Sequence, residues 1–96
     1  MEYKLTKQAF RKLSELIEND PKTAKKVKEI ILNLTNSLIN GESLKWYSEF
    51  KKIRSGKYRI IYTIKDNTLL TTIIEKRETV YQTFEHLFKN SSFFEN

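Results

Sequence analysis

Phe50 to Tyr81 reads FKKIRSGKYRIIYTIKDNTLLTTIIEKRETVY, and this stretch sets the architecture. Three segments rich in β-branched and aromatic residues, Phe50 to Arg54, Tyr58 to Ile64 and Leu69 to about Lys76, predict strands. Ser55-Gly56-Lys57 and Lys65-Asp66-Asn67 are short turns between them, so successive strands should pair antiparallel. In the middle strand Ile60, Tyr62 and Ile64 share one face, and Arg59, Ile61 and Thr63 share the other. Both faces are partly apolar, as expected of a central strand.

Upstream, Glu2 to Leu5 alternates polar and apolar residues and predicts a short first strand. Thr6 is placed to cap a helix running to about Glu18, whose Ala9, Phe10, Leu13, Leu16 and Ile17 form one stripe. Asn19-Asp20-Pro21 breaks the chain, and Pro21 opens a second helix. That helix carries Ala24, Val27, Ile30, Ile31, Leu34 and Leu38 on one side, and Asn40-Gly41 is its expected stop, with a left-handed Gly41. Downstream, Glu78 to Lys89 shows Tyr81, Phe84, Leu87 and Phe88 at helical spacing, followed by a frayed tail from Asn90 to Asn96. The predicted order is β-α-α-β-β-β-α. Residues 1–96 form a single α+β domain, an antiparallel sheet packed on one side against a helical hairpin, with a short C-terminal helix.

Ninety-six residues support one small core, and six Phe, five Tyr and one Trp supply its bulk. The absence of Cys excludes a disulfide framework, a thiolate zinc site and a cysteine nucleophile, and a single histidine, His86, leaves no histidine-rich metal centre. With glycine only at positions 41 and 56 there is no phosphate loop. The start MEYKLTKQAF is too polar for a secretory signal, and no apolar run is long enough to span a membrane. A soluble cytoplasmic domain is the expectation.

The net charge of +6 suggests an anionic partner, with nucleic acid first. It is concentrated. From Phe50 to Ile60 there are five cations, Lys51, Lys52, Arg54, Lys57 and Arg59, and no carboxylate. Lys52 and Arg54, two apart, share one face of a strand, Arg59 lies on the partner strand, and Lys76-Arg77 ends the next. The bland alternative is an edge hairpin that lysines protect from aggregation.

The same stretch resembles the RelE/ParE superfamily of toxins from type II toxin–antitoxin pairs. It carries Lys52-Ile53-Arg54, Gly56, Tyr58-Arg59-Ile60-Ile61-Tyr62, Lys76-Arg77 and Val80-Tyr81, and upstream Ala9 and Leu44 fit as well. RelE-like members cut messenger RNA on the ribosome, whereas ParE-like members poison DNA gyrase without being nucleases. The resemblance to the RelE-like branch implies an endoribonuclease, an mRNA interferase, that inhibits translation without metal or other cofactor. It implies as partners a cognate antitoxin and the ribosome with its A-site message, and makes the toxin–antitoxin complex a candidate binder of operator DNA. Two alternatives are a ParE-like gyrase inhibitor and a non-toxic member kept as an antitoxin-binding partner. Carried over by the motifs, the catalytic set is Arg59, Arg77, Tyr81, Lys52 and Arg54, with Lys51, Lys57 and Lys76 as RNA contacts. Two departures stand out: Phe50 replaces a lysine of some relatives, and the segment from Arg77 to Tyr81 is about one residue shorter.

These residue types suit attack of a 2′-hydroxyl on its own scissile phosphate. That reaction needs a base, an acid, and cations to hold the charge growing on phosphate. A phenol, with a reference pKa of about 10, serves as the base only where cations favour its phenolate, and Arg77 and Lys52 are candidates to do so beside Tyr81. Arg59 and Arg77 offer planar forks for phosphate, and Arg54 an acid-side cation. Each residue has a competing role. Tyr81 also fits the apolar stripe of the last helix, and Glu75 and Glu78 bracket Arg77 as pairing partners. Tyr58 and Tyr62 fit the core or its rim, and His86 fits solvent or an antitoxin contact. Trp46 and Tyr47 either stack a base or pack under the hairpin.

Overall fold

A computed structural model describes residues 1–90. The elements run β1 (Glu2–Leu5), α1 (Lys7–Asn19), α2 (Pro21–Thr35), β2 (Glu42–Ser43), β3 (Phe50–Ser55), β4 (Tyr58–Lys65), β5 (Thr68–Lys76) and α3 (Val80–Lys89). The tail expected to fray lies, from residue 91 on, outside the described residues. The sheet order is β1-β5-β4-β3-β2.

The β3–β4–β5 meander follows from its turns. Ser55 pairs with Tyr58 and Lys65 with Thr68, leaving two-residue loops. Gly56 takes φ 60° at the first turn position, and Asp66 and Asn67 take φ 52° and 56°, a type I′ pattern that Asp and Asn tolerate. The small strand β2, not anticipated from sequence, adds antiparallel to β3. At the other edge β1 joins β5 in parallel, so the sheet is antiparallel in all but this pair. No tight turn links β1 to β5, so no local signal sets that direction. Beyond β1, the Gln8 side-chain amide stands in for a strand: Nε2 donates to the Ile74 carbonyl and Oε1 accepts from the Ile74 N–H, both at 3.0 Å.

The helices lie on both faces rather than one. Ala9, Leu13 and Leu16 of α1 and Ala24, Val27 and Ile31 of α2 pack on Tyr58, Ile60 and Ile74. Val80 and Phe84 of α3 pack with Leu44 and Phe50 on Ile61 and Ile73, which point the opposite way. The reason is in β4 and β5 themselves. Adjacent isoleucines, Ile60-Ile61 and Ile73-Ile74, are all fully buried, so each face needs cover. Near the middle of the β4–β5 pair the register shifts between Ile61 and Tyr62, and threonine hydroxyls occupy the irregularity. Thr72 Oγ1 donates to the Ile61 carbonyl at 2.9 Å, and Thr6 Oγ1 donates to the Thr72 carbonyl at 2.6 Å. Thr6 also caps α1, accepting from Ala9 N–H at 3.2 Å, so one buried hydroxyl ties the helix start to the sheet.

Two helix boundaries differ from expectation. α2 stops at Thr35, and Ser37, not Gly41, takes the left-handed conformation, φ 60°. Leu38 N–H reaches the Asn33 carbonyl at 2.9 Å and Ser37 N–H the Leu34 carbonyl at 3.1 Å, a Schellman closure that places Leu38 outside the helix. α3 begins at Val80, two residues later than the spacing suggests, after a turn in which Thr79 N–H bonds the Lys76 carbonyl.

Candidate nucleic-acid interface

Strand register gathers charged side chains on the face that α3 covers only in part. Glu42 lies opposite Lys52, Lys52 opposite Ile61, and Arg54 opposite Arg59. Tyr81 arrives from the first turn of α3, where no acidic residue stands. Lys52 Nζ donates to the Tyr81 phenolic oxygen at 3.0 Å and lies 5.5 Å from the ring centroid. Tyr81 remains 42% exposed, so it belongs to the surface rather than to the apolar stripe beneath α3.

Lys52 is the wall shared by two clefts. One, about 390 Å³, is lined by Asn40, Gly41, Glu42, Arg54 and Arg59. The other, about 360 Å³, is lined by Leu44, Lys45, Trp46, Tyr47, Tyr81, Phe84 and Glu85. Among the described residues, Arg54, Arg59 and Arg77 form no ion pair. Like charges directly opposite on neighbouring strands repel. Glu75 lies opposite Arg59 on β5 but pairs with Lys12 instead, so both guanidinium groups keep N–H forks that can donate to an anion such as phosphate.

Glu42 and Glu85 each line one of the clefts, whereas Glu75 is drawn away from them. Glu75, which bracketed Arg77 in sequence, turns to the edge of the sheet, where Lys12 pairs with it at 3.4 Å and with Glu15 at 3.5 Å. Burial works against the Lys12 ammonium, but the Glu75 and Glu15 carboxylates and their hydrogen bonds more than offset it, and its proton is held above the usual lysine range. The loop leading into β2 is clamped at Gly41, whose N–H donates to the Tyr62 hydroxyl at 2.8 Å. Burial pushes the Tyr62 phenol up, and the Gly41 bond counters this only in part. A Cβ on Gly41 would collide with the Lys52 carbonyl oxygen, so glycine is needed here for close approach rather than for left-handed backbone.

The remaining sequence candidates separate. Arg77 follows β5 in the turn before α3, its N–H bonded to the Lys57 carbonyl at 3.1 Å, with no side-chain link to Tyr81. Lys57 sits in the turn itself. Lys51 pairs with Tyr62 and Lys76 with Tyr58, so both point to the α1–α2 face, away from the clefts. His86 is exposed toward the far end of α3, beside Asn90. Tyr58 and Tyr62 are buried. Tyr47 packs edge-on against Phe84 and Phe88 at 5.0 and 4.7 Å, whereas Trp46 is 81% exposed. Glu42 is the one residue in the basic cleft that sequence reasoning did not single out. Its signal is a two-residue strand whose register only pairing defines.

Among the described residues no helix is long and apolar enough to cross a membrane. The family model described as the ParE toxin of the type II toxin–antitoxin system, parDE, matches residues 3–80. No curated protein sequence matches the chain. Several solved structures share the fold. The YoeB dimer from Staphylococcus aureus is 24% identical with a TM-score of 0.70, over 80% of this chain and 97% of that one. The YoeB/ParE toxin from Agrobacterium tumefaciens is 16% identical with a TM-score of 0.72, over 80% and 99% of the two chains. A chain of the RelB–RelE antitoxin–toxin complex from Methanococcus jannaschii is 20% identical with a TM-score of 0.58, over 88% and 99%.

Proposed function

The chain belongs to the ParE/RelE superfamily of type II toxins, and from that premise we propose that it is a ribosome-dependent messenger RNA endonuclease, held in check by a cognate antitoxin. The observation that carries this reading is the Lys52–Tyr81 hydrogen bond of 3.0 Å beside the unpaired Arg54 and Arg59. Complexes such as RelB–RelE and YoeB–YefM support the antitoxin, and action on the ribosome places the toxin in the cytoplasm.

The scissile phosphate sits against Lys52, Arg54 and Arg59, which stabilise the charge that builds as the bond to O2′ forms. A proton-transfer group stands to either side of Lys52. Glu42, acceptor-only when ionised, takes the proton of the 2′-hydroxyl. Tyr81, whose oxygen already accepts from Lys52, keeps its own O–H to give to O5′ as the P–O5′ bond breaks. The products are a 2′,3′-cyclic phosphate and a 5′-hydroxyl end. Arg77, Lys57 and, on the reverse face, Lys51 and Lys76 serve flanking phosphates or ribosomal RNA. Too few groups line the clefts to position a message alone, so the ribosome supplies alignment.

A gyrase-inhibiting reading is favoured by one finding, the ParE description of the matching family model. One experiment separates the two: message ends are mapped by primer extension in a translation extract, while growth is followed in cells lacking the antitoxin. Wild type should cut within the A-site codon, and Tyr81→Phe and Glu42→Gln should each lower the cleavage rate about 100-fold or more. Absence of cuts, with growth arrest and DNA damage persisting in both variants, overturns the nuclease reading.

A further inference from the structure

The second cleft holds a residue that the proton-transfer scheme leaves unused. Trp46 is the only tryptophan of the chain, and it is 81% exposed although its neighbour Tyr47 is packed under α3. A single exposed aromatic is ordinary on a protein surface. This one lies in the cleft that Lys52 and Tyr81 also line, with Leu44 at its base. Lys45 Nζ sits 5.4 Å from the ring centroid, adding a cation that can meet a neighbouring phosphate while leaving most of the ring open. Glu85 also lines this cleft, but neither Lys45 nor Lys52 pairs with a carboxylate among the described residues. An indole face bordered by two such cations suits single-stranded nucleic acid: π-surface for a base, positive charge for its backbone. A nucleotide whose phosphate sits on Lys52 carries its neighbouring base within reach of the adjoining cleft.

We propose that Trp46 forms a nucleobase-stacking subsite that positions the RNA next to the scissile phosphate. This rests on the ribonuclease reading above for its consequence, though the binding it describes is measurable without cleavage. The subsite takes any base, because each has a π-face, and holds purines more tightly for their larger area.

The sole tryptophan provides the probe. A 2′-O-methyl RNA hexanucleotide, which cannot attack its own phosphate, should quench Trp46 fluorescence, and an abasic hexamer of equal charge should not. In anisotropy with the labelled hexamer, Trp46→Ala should bind about 10-fold more weakly and Trp46→Phe should recover most of the affinity. In the translation extract, Trp46→Ala should raise KM by about the same factor, with kcat nearly unchanged and the same melting temperature. Equal quenching by the abasic hexamer, no quenching by RNA, or quenching by an acidic peptide in place of RNA overturns the subsite. Quenching by RNA with no cleavage in the extract supports the subsite while removing the nuclease reading. Cleavage with an unchanged KM in Trp46→Ala removes the subsite while the nuclease reading stands.

Discussion

Gly41 and Lys52 show how closely the site depends on single atoms. The Gly41 backbone lies against the Lys52 carbonyl and donates to the Tyr62 hydroxyl, 3.0 Å from where a Cβ would stand. Gly41→Ala must therefore push the loop off β3, losing that hydrogen bond and moving Glu42 away from Lys52. It should cost about 1–3 kcal/mol, read as a lower urea midpoint at unchanged slope, and should depress cleavage more than stability alone explains. An unchanged midpoint would show that the loop has room to spare. Lys52, Arg54 and Arg59 were legible in the sequence because five cations without a carboxylate stand out against any background. Glu42 was not, since a lone glutamate carries no pattern, and the role proposed for it rests on its lying opposite Lys52.

The start of α2, where Pro21 was legible, carries a cap at Asp20 from which a pH dependence follows. Asp20 accepts from the Thr23 hydroxyl at 2.7 Å and from the Thr23 N–H at 3.3 Å, just before Pro21 at the helix start. The Thr23 side-chain bond first, then the backbone bond, holds the Asp20 carboxyl below its ordinary value of 3.8. A carboxyl lowered by folding contributes stability that is present above its unfolded pKa, about 4, and is lost as pH falls through the folded value. Asn caps about as well as Asp but does not titrate. Asp20→Asn should thus keep the melting temperature near pH 7 and flatten the acid limb below about pH 4, measured by thermal melts across that range. A parallel fall in both proteins would mean that other carboxylates set the limb. The end of the same helix departs from expectation for a physical reason: a serine occupies the left-handed position that glycine usually takes, so the helix closes before the stop signal at Asn40-Gly41.

Across the domain, the excess of cations divides between two faces, and this division is testable by salt. With the three phosphate contacts proposed for Lys52, Arg54 and Arg59, the binding constant of a single-stranded RNA should have a slope of about −2 against log salt. Arg59→Ala should make that slope shallower by about 0.7, whereas Lys51→Ala with Lys76→Ala should change it far less. Equal effects of both variants in an anisotropy titration from low to moderate salt would mean a diffuse basic surface. The meander was determined by residues close in the chain: turn residues at Gly56 and Asp66-Asn67, and alternating or doubled apolar positions between them. The helix starts at Thr6 and Pro21 were determined in the same way, because caps act within one turn. So was the superfamily, whose motifs lie in that same stretch. Other features had no local cause to read. The parallel β1 edge, the placing of α3 on the second face and the meeting of Lys52 with Tyr81, 29 residues apart, arise only when distant segments pack. Local patterns fix elements because turns and caps are short-range. A site assembled across strands and a helix exists only once burial of both faces of β4 and β5 has set their register.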